Sequence, residues 1–252
     1  MARVMAVVNQ KGGVGKTTTC VNLAYSLGLL GKKTLLCDFD PQANATSGYG
    51  VDKNALRSSV YDVLINGADP AATVVKTTYG DILPSNKSLA GAGVEMVGIP
   101  DREHLLKSAI DRLKDRYDAV LIDCPPSLEL LTVNGLCAAD GIIVPVQCEY
   151  YALEGLSDLM ATVRIIKRSL NPNIVLDALI LTMYDGRTVL SLQVAEEVKR
   201  HFGAKVCPVI IPRNVRLSEA PSHGKPALAL DKFARGAKAY MELAEYFVGN
   251  IL

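Results

Sequence analysis

In RVMAVVNQKGGVGKTTT, residues 3–19, a continuous apolar run stops at a glycine-rich turn that leads into a helical stretch. A strand without polar alternation must be covered on both faces, which favours a parallel sheet between helical layers. The same grammar recurs. Apolar runs at 33–40 (KTLLCDFD), 118–124 (DAVLIDC), 141–147 (GIIVPVQ) and 175–182 (VLDALILT) read as further strands. Helices are predicted over Lys16–Leu30, closing at Gly31, and over Glu103–Arg116, Leu153–Leu170, Leu190–Phe202 and Lys232–Phe247. Strand–helix alternation of this kind predicts an α/β fold, a mostly parallel central sheet with helices on both faces. With no linker or internal repeat, residues 1–252 read as a single domain.

The turn between the first strand and the first helix is suited to anions. Backbone N–H groups and a helix N-terminus converge there, and Gly12, Gly13 and Gly15 permit close approach and unusual φ. Lys16 is predicted to reach the β- and γ-phosphates of a nucleotide and Thr17 to place its hydroxyl on Mg²⁺. The spacing departs from the usual phosphate-loop pattern, because Gln10 stands where its first glycine belongs, and a second lysine, Lys11, opens the loop. Asp38 and Asp40, at the end of the second strand, are candidates to serve the metal and orient a water for attack on the γ-phosphate. An Asp-Pro turn at Asp40–Pro41 is the plain alternative. Asp123 ends four apolar residues, the pattern of a strand whose carboxylate holds Mg²⁺ through water. The fold class is therefore a P-loop NTPase, binding a nucleoside triphosphate with Mg²⁺.

Four phrases, KGGVGKTTT, DFDPQANATSG, LIDCPPSL and IPRNVRLSEAPSHGKP (211–226), together resemble the deviant Walker A ATPases. Within that group the chain is similar to the ParA/Soj chromosome-partitioning ATPases along nearly its whole length. The resemblance implies that Lys11 is a signature lysine, reaching across a sandwich homodimer to the partner's ATP; a second local phosphate contact is the alternative. It implies Lys11, Lys16 and Asp40 as the catalytic set, with Asp40 positioning the attacking water. It implies an ATP-binding loop of Lys11, Gly12, Gly13, Val14, Gly15, Lys16, Thr17 and Thr18, and an adenine segment containing Pro212 and Asn214. ATP-dependent dimerisation would enable binding to double-stranded DNA without sequence preference, through Arg187 and Arg216. Lys199, Arg200, Lys225, Lys232 and Arg235 are candidates to extend that surface. A ParB/Spo0J-like protein would stimulate hydrolysis, inserting a basic N-terminal residue, and release the dimer; a replication initiator is a further candidate partner. The expected location is cytoplasmic and nucleoid-associated. The phosphate loop begins near residue 10, so the short chromosomal type, without an N-terminal helix-turn-helix, is expected.

Charge fits this without demanding it. The formal net charge is +1, but residues 187–252 carry 10 Lys and Arg against 6 Asp and Glu, and the remainder 17 against 20. The six cysteines form no CxxC pair and read as buried free thiols of a reducing compartment. His104, His201 and His223 lack metal-ligand spacing. The N-terminus does not read as a signal peptide, and no run is long enough for a membrane span. Four rivals share parts of the pattern. A membrane-cycling ATPase of the MinD type needs a basic amphipathic C-terminal helix, whereas no Lys or Arg follows Lys238 and a terminal helix packed on the domain is expected. A nitrogenase-type iron protein needs differently placed cysteines. A ligase of the dethiobiotin-synthetase type would lack the second and fourth phrases. A non-enzymatic DNA-binding module would not need an intact phosphate loop and Asp40.

Overall fold

The computed structural model describes residues 2–150 and 152–252. Seven strands form one sheet: β1 (Arg3–Val7), β2 (Thr34–Asp38), β3 (Val75–Thr77), β4 (Gly80–Leu83), β5 (Ala119–Asp123), β6 (Gly141–Gln147) and β7 (Val175–Thr182). Their order is β3-β4-β2-β5-β1-β6-β7. Every pairing is parallel except β3 with β4. The predicted parallel core is thus present, with a short antiparallel hairpin added at one edge.

Each face of the sheet is sealed by its own core. Val4, Ala6 and Val8 join one buried cluster, and Met5 and Val7 the other. The strand interiors are therefore largely apolar on both faces, with polar residues mainly at the strand ends, which is why they carry no alternation. One layer contains the helices Leu130–Ala138 and Ala152–Ser169. The other contains the first helix, Lys16–Leu29, and the last, Arg235–Asn250. The last helix buries Ala237, Tyr240, Leu243 and Phe247, and the Tyr240 hydroxyl meets the Thr19 hydroxyl at 3.1 Å. This is the packed terminal helix expected from its lack of basic residues.

The predicted helix Glu103–Arg116 is not continuous. Only Leu105–Asp111 is α-helical, with single 3₁₀ turns at Arg102–His104 and Lys114–Arg116. Asp101, with φ 56°, turns the chain at the start, and its carboxylate meets the His104 ring at 3.0 Å. Local capping there competes with helix extension.

The first helix ends as its sequence requires. Gly31 lies at φ 81° and donates to the Gly28 carbonyl, while Lys32 N–H donates to Leu27 O at 3.1 Å. This pair of bonds is a Schellman closure, and it returns the chain into β2. Gly31→Ala places a Cβ in the left-handed region and is expected to cost about 1 kcal/mol of stability, measurable as a lower denaturation midpoint with unchanged slope.

Candidate nucleotide-binding site

Sheet order puts three chain segments side by side. Asp38 on β2 is in register with Asp123 on β5, and Asp123 with Val7 on β1. The loop leaving β1 therefore rises directly beside two carboxylates, at the strand ends where open parallel sheets bind ligands.

The loop 8–15 is held from several sides. Asn9 Nδ2 donates to Pro145 O at 2.7 Å and Asn9 Oδ1 accepts from Lys11 N–H at 3.0 Å. The Thr182 hydroxyl donates to Val14 O at 2.8 Å, tying the buried apex of the loop to the end of β7. Gly13 and Gly15 adopt φ 76° and 96°, conformations that need glycine. Gly12 does not share this need; its φ is not left-handed, and a Cβ there would meet nothing within 4 Å. The unusual backbone falls at two of the three glycines because the left-handed steps occur only there.

The two lysines occupy different places. Lys16 is buried, and its ammonium donates to Lys11 O at 3.0 Å, closing the loop on itself. Burial holds its pKa below the ordinary lysine value, opposed chiefly by Asp123. Lys11 extends outward; its ammonium pairs with Glu149 Oε2 at 2.6 Å, with side chains 41% and 46% exposed.

A cavity of about 310 Å³ lies over the loop, lined by Gly13, Lys16, Thr17, Thr18 and Asp40 among others. A second cavity of about 440 Å³ adjoins it, sharing Gly15, Thr18 and Met183 and lined further by Pro212, Asn214 and Tyr240. Together they form a cleft with a phosphate-sized end and a base-sized end. Lys11 lines neither cavity. Two of the three non-glycine residues with positive φ among the described residues, Ala43 and Met183, border this region, at 53° and 49°. Backbone strain of this kind collects at ligand sites.

The acidic residues divide their labour. Asp123 is fully buried, and neither of its carboxylate oxygens has a hydrogen-bond partner. Burial, followed by the charge of Asp38, pushes its pKa well above the ordinary carboxylate value, with Thr17 and Lys16 opposing. An unpartnered buried carboxylate beside a threonine hydroxyl is a hard oxygen set that suits Mg²⁺ with retained waters. Thr17 and Asp123, the predicted pair, fit that ion. Asp38 differs from Asp123 in having donors from its own chain. Its oxygens accept from Thr46 N–H and Thr46 Oγ1, both at 2.7 Å, and from Asp40 N–H at 3.2 Å, so most of its acceptor capacity is met by the chain. Burial still raises its pKa to about 6.

Asp40 lines the phosphate cavity and is positioned by residues whose sequence gave no sign of this role. The Ser85 hydroxyl donates to Asp40 O at 2.8 Å, Ser85 N–H donates to Thr46 Oγ1 at 2.9 Å, and Thr46 in turn donates to Asp38. Thr46 and Ser85 are fully buried. Ser85 follows β4, a strand too short to be legible, so only the fold brings it to Asp40.

The remaining predicted residues cluster beyond β7. A parallel bridge between Tyr184 and Pro212 sets the two segments side by side. Asn214 caps the short helix Val215–Glu219, its Oδ1 accepting from Arg216 N–H at 3.1 Å, which leaves the amide N–H₂ as the group free to meet a base. Gly236 of the last helix packs so closely here that a Cβ would lie 3.0 Å from Asn214 Cβ and 2.7 Å from Leu217 Cγ. Arg187 is 90% exposed and forks onto both oxygens of Asp185, and Arg216 pairs with Glu219 at 2.8 Å and Asp231 at 3.4 Å. Both arginines thus hold intrachain carboxylates. The Arg187 pairing depresses the Asp185 pKa to about 2. Of the other basic candidates, Arg200 pairs with Glu197, and Lys232 lies over the Phe233 ring. All six cysteines are free and buried.

A glycine-rich loop over a parallel sheet, with a buried lysine, a threonine at the helix start and an orphaned carboxylate, defines a P-loop nucleotide-binding protein. Comparison with known proteins narrows the class. The AAA domain family matches residues 2–176. The chain is 51% identical over 252 residues to the sporulation initiation inhibitor protein Soj of Bacillus subtilis, covering 99% of this chain and 100% of that protein. It is 47% identical to the chromosome partitioning protein ParA of Caulobacter vibrioides, covering 98% and 94%. Among solved structures it is similar to cobyrinic acid a,c-diamide synthase from Mycobacterium smegmatis with bound ADP and magnesium, at TM-score 0.87 and 38% identity, covering 98% and 94%. The chain belongs to the ParA/Soj family of P-loop ATPases, and ATP and Mg²⁺ are its cofactors.

The buried carboxylates make stability depend on pH. Their folded pKa values lie above the unfolded value of about 3.9, so the folded chain holds protons that the unfolded chain releases. Stability from this source is full below the unfolded pKa and lost as pH rises through the folded values, near 6 for Asp38, with Asp123 raised in the same direction. Metal-free protein is expected to melt at a lower temperature at pH 7.5 than at pH 5.5, and saturating Mg²⁺–ADP should flatten that slope in thermal melts.

The Asp38–Thr46–Ser85–Asp40 chain gives a second expectation. Thr46→Val removes the hydroxyl that bridges Asp38 and Ser85 while keeping the shape, and should cost about 1–3 kcal/mol. ATP turnover should fall roughly tenfold with KM unchanged, as about 1.4 kcal/mol of lost positioning gives, and Thr46→Ser should restore it. A Thr46→Val protein with wild-type turnover would refute the positioning role.

Proposed function

We propose that the chain is a chromosome-partitioning ATPase that couples nucleotide state to DNA through dimerisation. The observation that carries this reading is the separation of the two lysines. Lys16 already lies in the phosphate cavity of its own chain, whereas Lys11 lines neither cavity and is held at the rim by Glu149. A rim lysine can serve a nucleotide held by a second copy. Neutralising phosphate charge in trans makes dimer formation sensitive to the γ-phosphate. The relatives named for Soj and ParA, similar over essentially the full length, support the same assignment. The solved neighbour named as a synthase shares the fold, but at lower identity.

In this reading Thr17 and Asp123 would hold Mg²⁺, which would supply charge to offset that of the phosphates. Asp40 accepts the hydrogen bond that orients the attacking water. Pro212 and Asn214 border the adenine. Dimerisation sums two modest basic surfaces carrying Arg187 and Arg216, and phosphate contacts without base readout give binding without sequence preference. Each arginine must exchange its carboxylate partner for a DNA phosphate, an exchange open to exposed, solvent-screened pairs. A ParB-like partner accelerates hydrolysis and so releases the dimer, and the working location is the nucleoid.

The test is binding to unrelated duplex DNA without nucleotide, with ADP and with ATP. ATP alone should confer binding, and log affinity should fall steeply with log salt. Asp40→Ala should bind DNA with ATP and release it slowly. Lys11→Ala and Arg216→Glu should lose DNA binding, the first because it stays monomeric and the second while still dimerising. Wild-type protein that hydrolyses ATP but ignores DNA in every nucleotide state would overturn the proposal.

A further inference from the structure

A second concave site lies at the opposite end of the sheet. It is a recess of about 390 Å³, within the range of about 300–1,000 Å³ typical of small-ligand pockets. Its lining includes Lys32, Lys33, Lys76 and Arg116, with Asp81 as the single carboxylate. Thr34, the first residue of β2, borders it, whereas Asp38, the last, sits by the phosphate loop. One strand length, roughly 13 Å at about 3.3 Å per residue, separates the two sites.

The four cations come from three places in the chain. Lys32 and Lys33 follow the first helix, Lys76 is on β3, and Arg116 ends the 3₁₀ turn before β5. The carbonyl end of the first helix favours positive charge at Lys32 and Lys33. It does nothing for Lys76 and Arg116, which the fold brings to the same recess. Among the described residues none of the four side chains has an ion-pair or hydrogen-bond partner. The one carboxylate is engaged, since Asp81 accepts the Tyr117 hydroxyl at 2.9 Å. That bond and burial keep the phenol protonated. Tyr79 forms a further wall and is braced edge-on by Tyr25 and Tyr49 at 5.8 and 6.2 Å.

Like charges gathered in a recess repel, and an anion seated among them relieves the repulsion. We infer that this recess is a second anion site, built for a compact ligand carrying two or more phosphoryl groups. The lining holds four cations against one carboxylate, with Asp118 just outside it accepting the Lys33 N–H at 2.8 Å, and the excess suits a multiply charged anion. Duplex DNA is too wide to enter so small a recess, and a nucleotide-sized polyphosphate is not. The inference does not depend on the partitioning assignment.

Equilibrium dialysis with tripolyphosphate, the principal cleft filled by saturating Mg²⁺–ADP, tests it. One tripolyphosphate per chain should bind, more weakly as salt rises. Lys76→Ala combined with Arg116→Ala should weaken binding at least tenfold with an unchanged melting temperature. Arg187→Ala, on another surface, should leave it intact. GTP in place of tripolyphosphate distinguishes the sources: equal binding assigns the site to phosphate alone, and tighter binding adds base contact with Tyr79. No binding with the cleft filled, or equal weakening by the double variant and by Arg187→Ala, would overturn the site. So would loss of DNA binding by the double variant without any tripolyphosphate bound, because the recess would then belong to the DNA surface.

Discussion

Two carboxylates stand in register on adjacent parallel strands with no solvent exposure, Asp38 on β2 and Asp123 on β5. Buried like charges are costly, and the surrounding structure follows from how that cost is met. Asp38 is met by the chain itself, through Thr46 and the Asp40 amide. Its bonds fold the segment after β2 back over the sheet and so fix where Asp40 stands. Asp123 receives no such donors. It is left for a cation, and the loop that supplies Lys16 and Thr17 lies beside it. The difference between a carboxylate that builds and a carboxylate that binds is thus set by hydrogen bonds, not by strand position.

The sheet was legible because its demand is local. A strand buried on both faces is apolar through its interior, and all five long strands announced themselves by such runs. β3 and β4 did not, since three- and four-residue strands with polar members carry no pattern. The helix at 105–111 was read too long because its apolar spacing continues past points where Asp101 and the 3₁₀ turns break the hydrogen-bond ladder. Periodicity records which face is buried, not where the backbone stops.

The candidate site divides in the same way. Lys11, Lys16, Thr17, Asp40 and Asp123 were visible because each stands in a dense motif beside a strand end. Ser85, Thr182, Glu149 and Tyr240 were not. Each meets the site through a contact made across the fold, and an isolated serine, threonine, glutamate or tyrosine carries no signal of its partner. Asp38 is a related case. A DxD spacing states where two carboxylates are, but not which of them the following residues will satisfy.

The pairing of Thr19 with Tyr240 has a consequence for how the protein is made. These residues are 221 positions apart in the chain. Synthesis proceeds at about 5–20 residues per second, so roughly 10–45 seconds pass between the emergence of the first helix and that of its partner. During that interval the first helix lacks the cover of Ala237, Leu243 and Phe247, and the base-sized end of the cleft lacks one wall. The phosphate loop is made well before Tyr240, and the cleft it serves cannot close until that residue follows. Nucleotide can stabilise the finished protein but can do little for the growing one, whose cleft still lacks its Tyr240 wall.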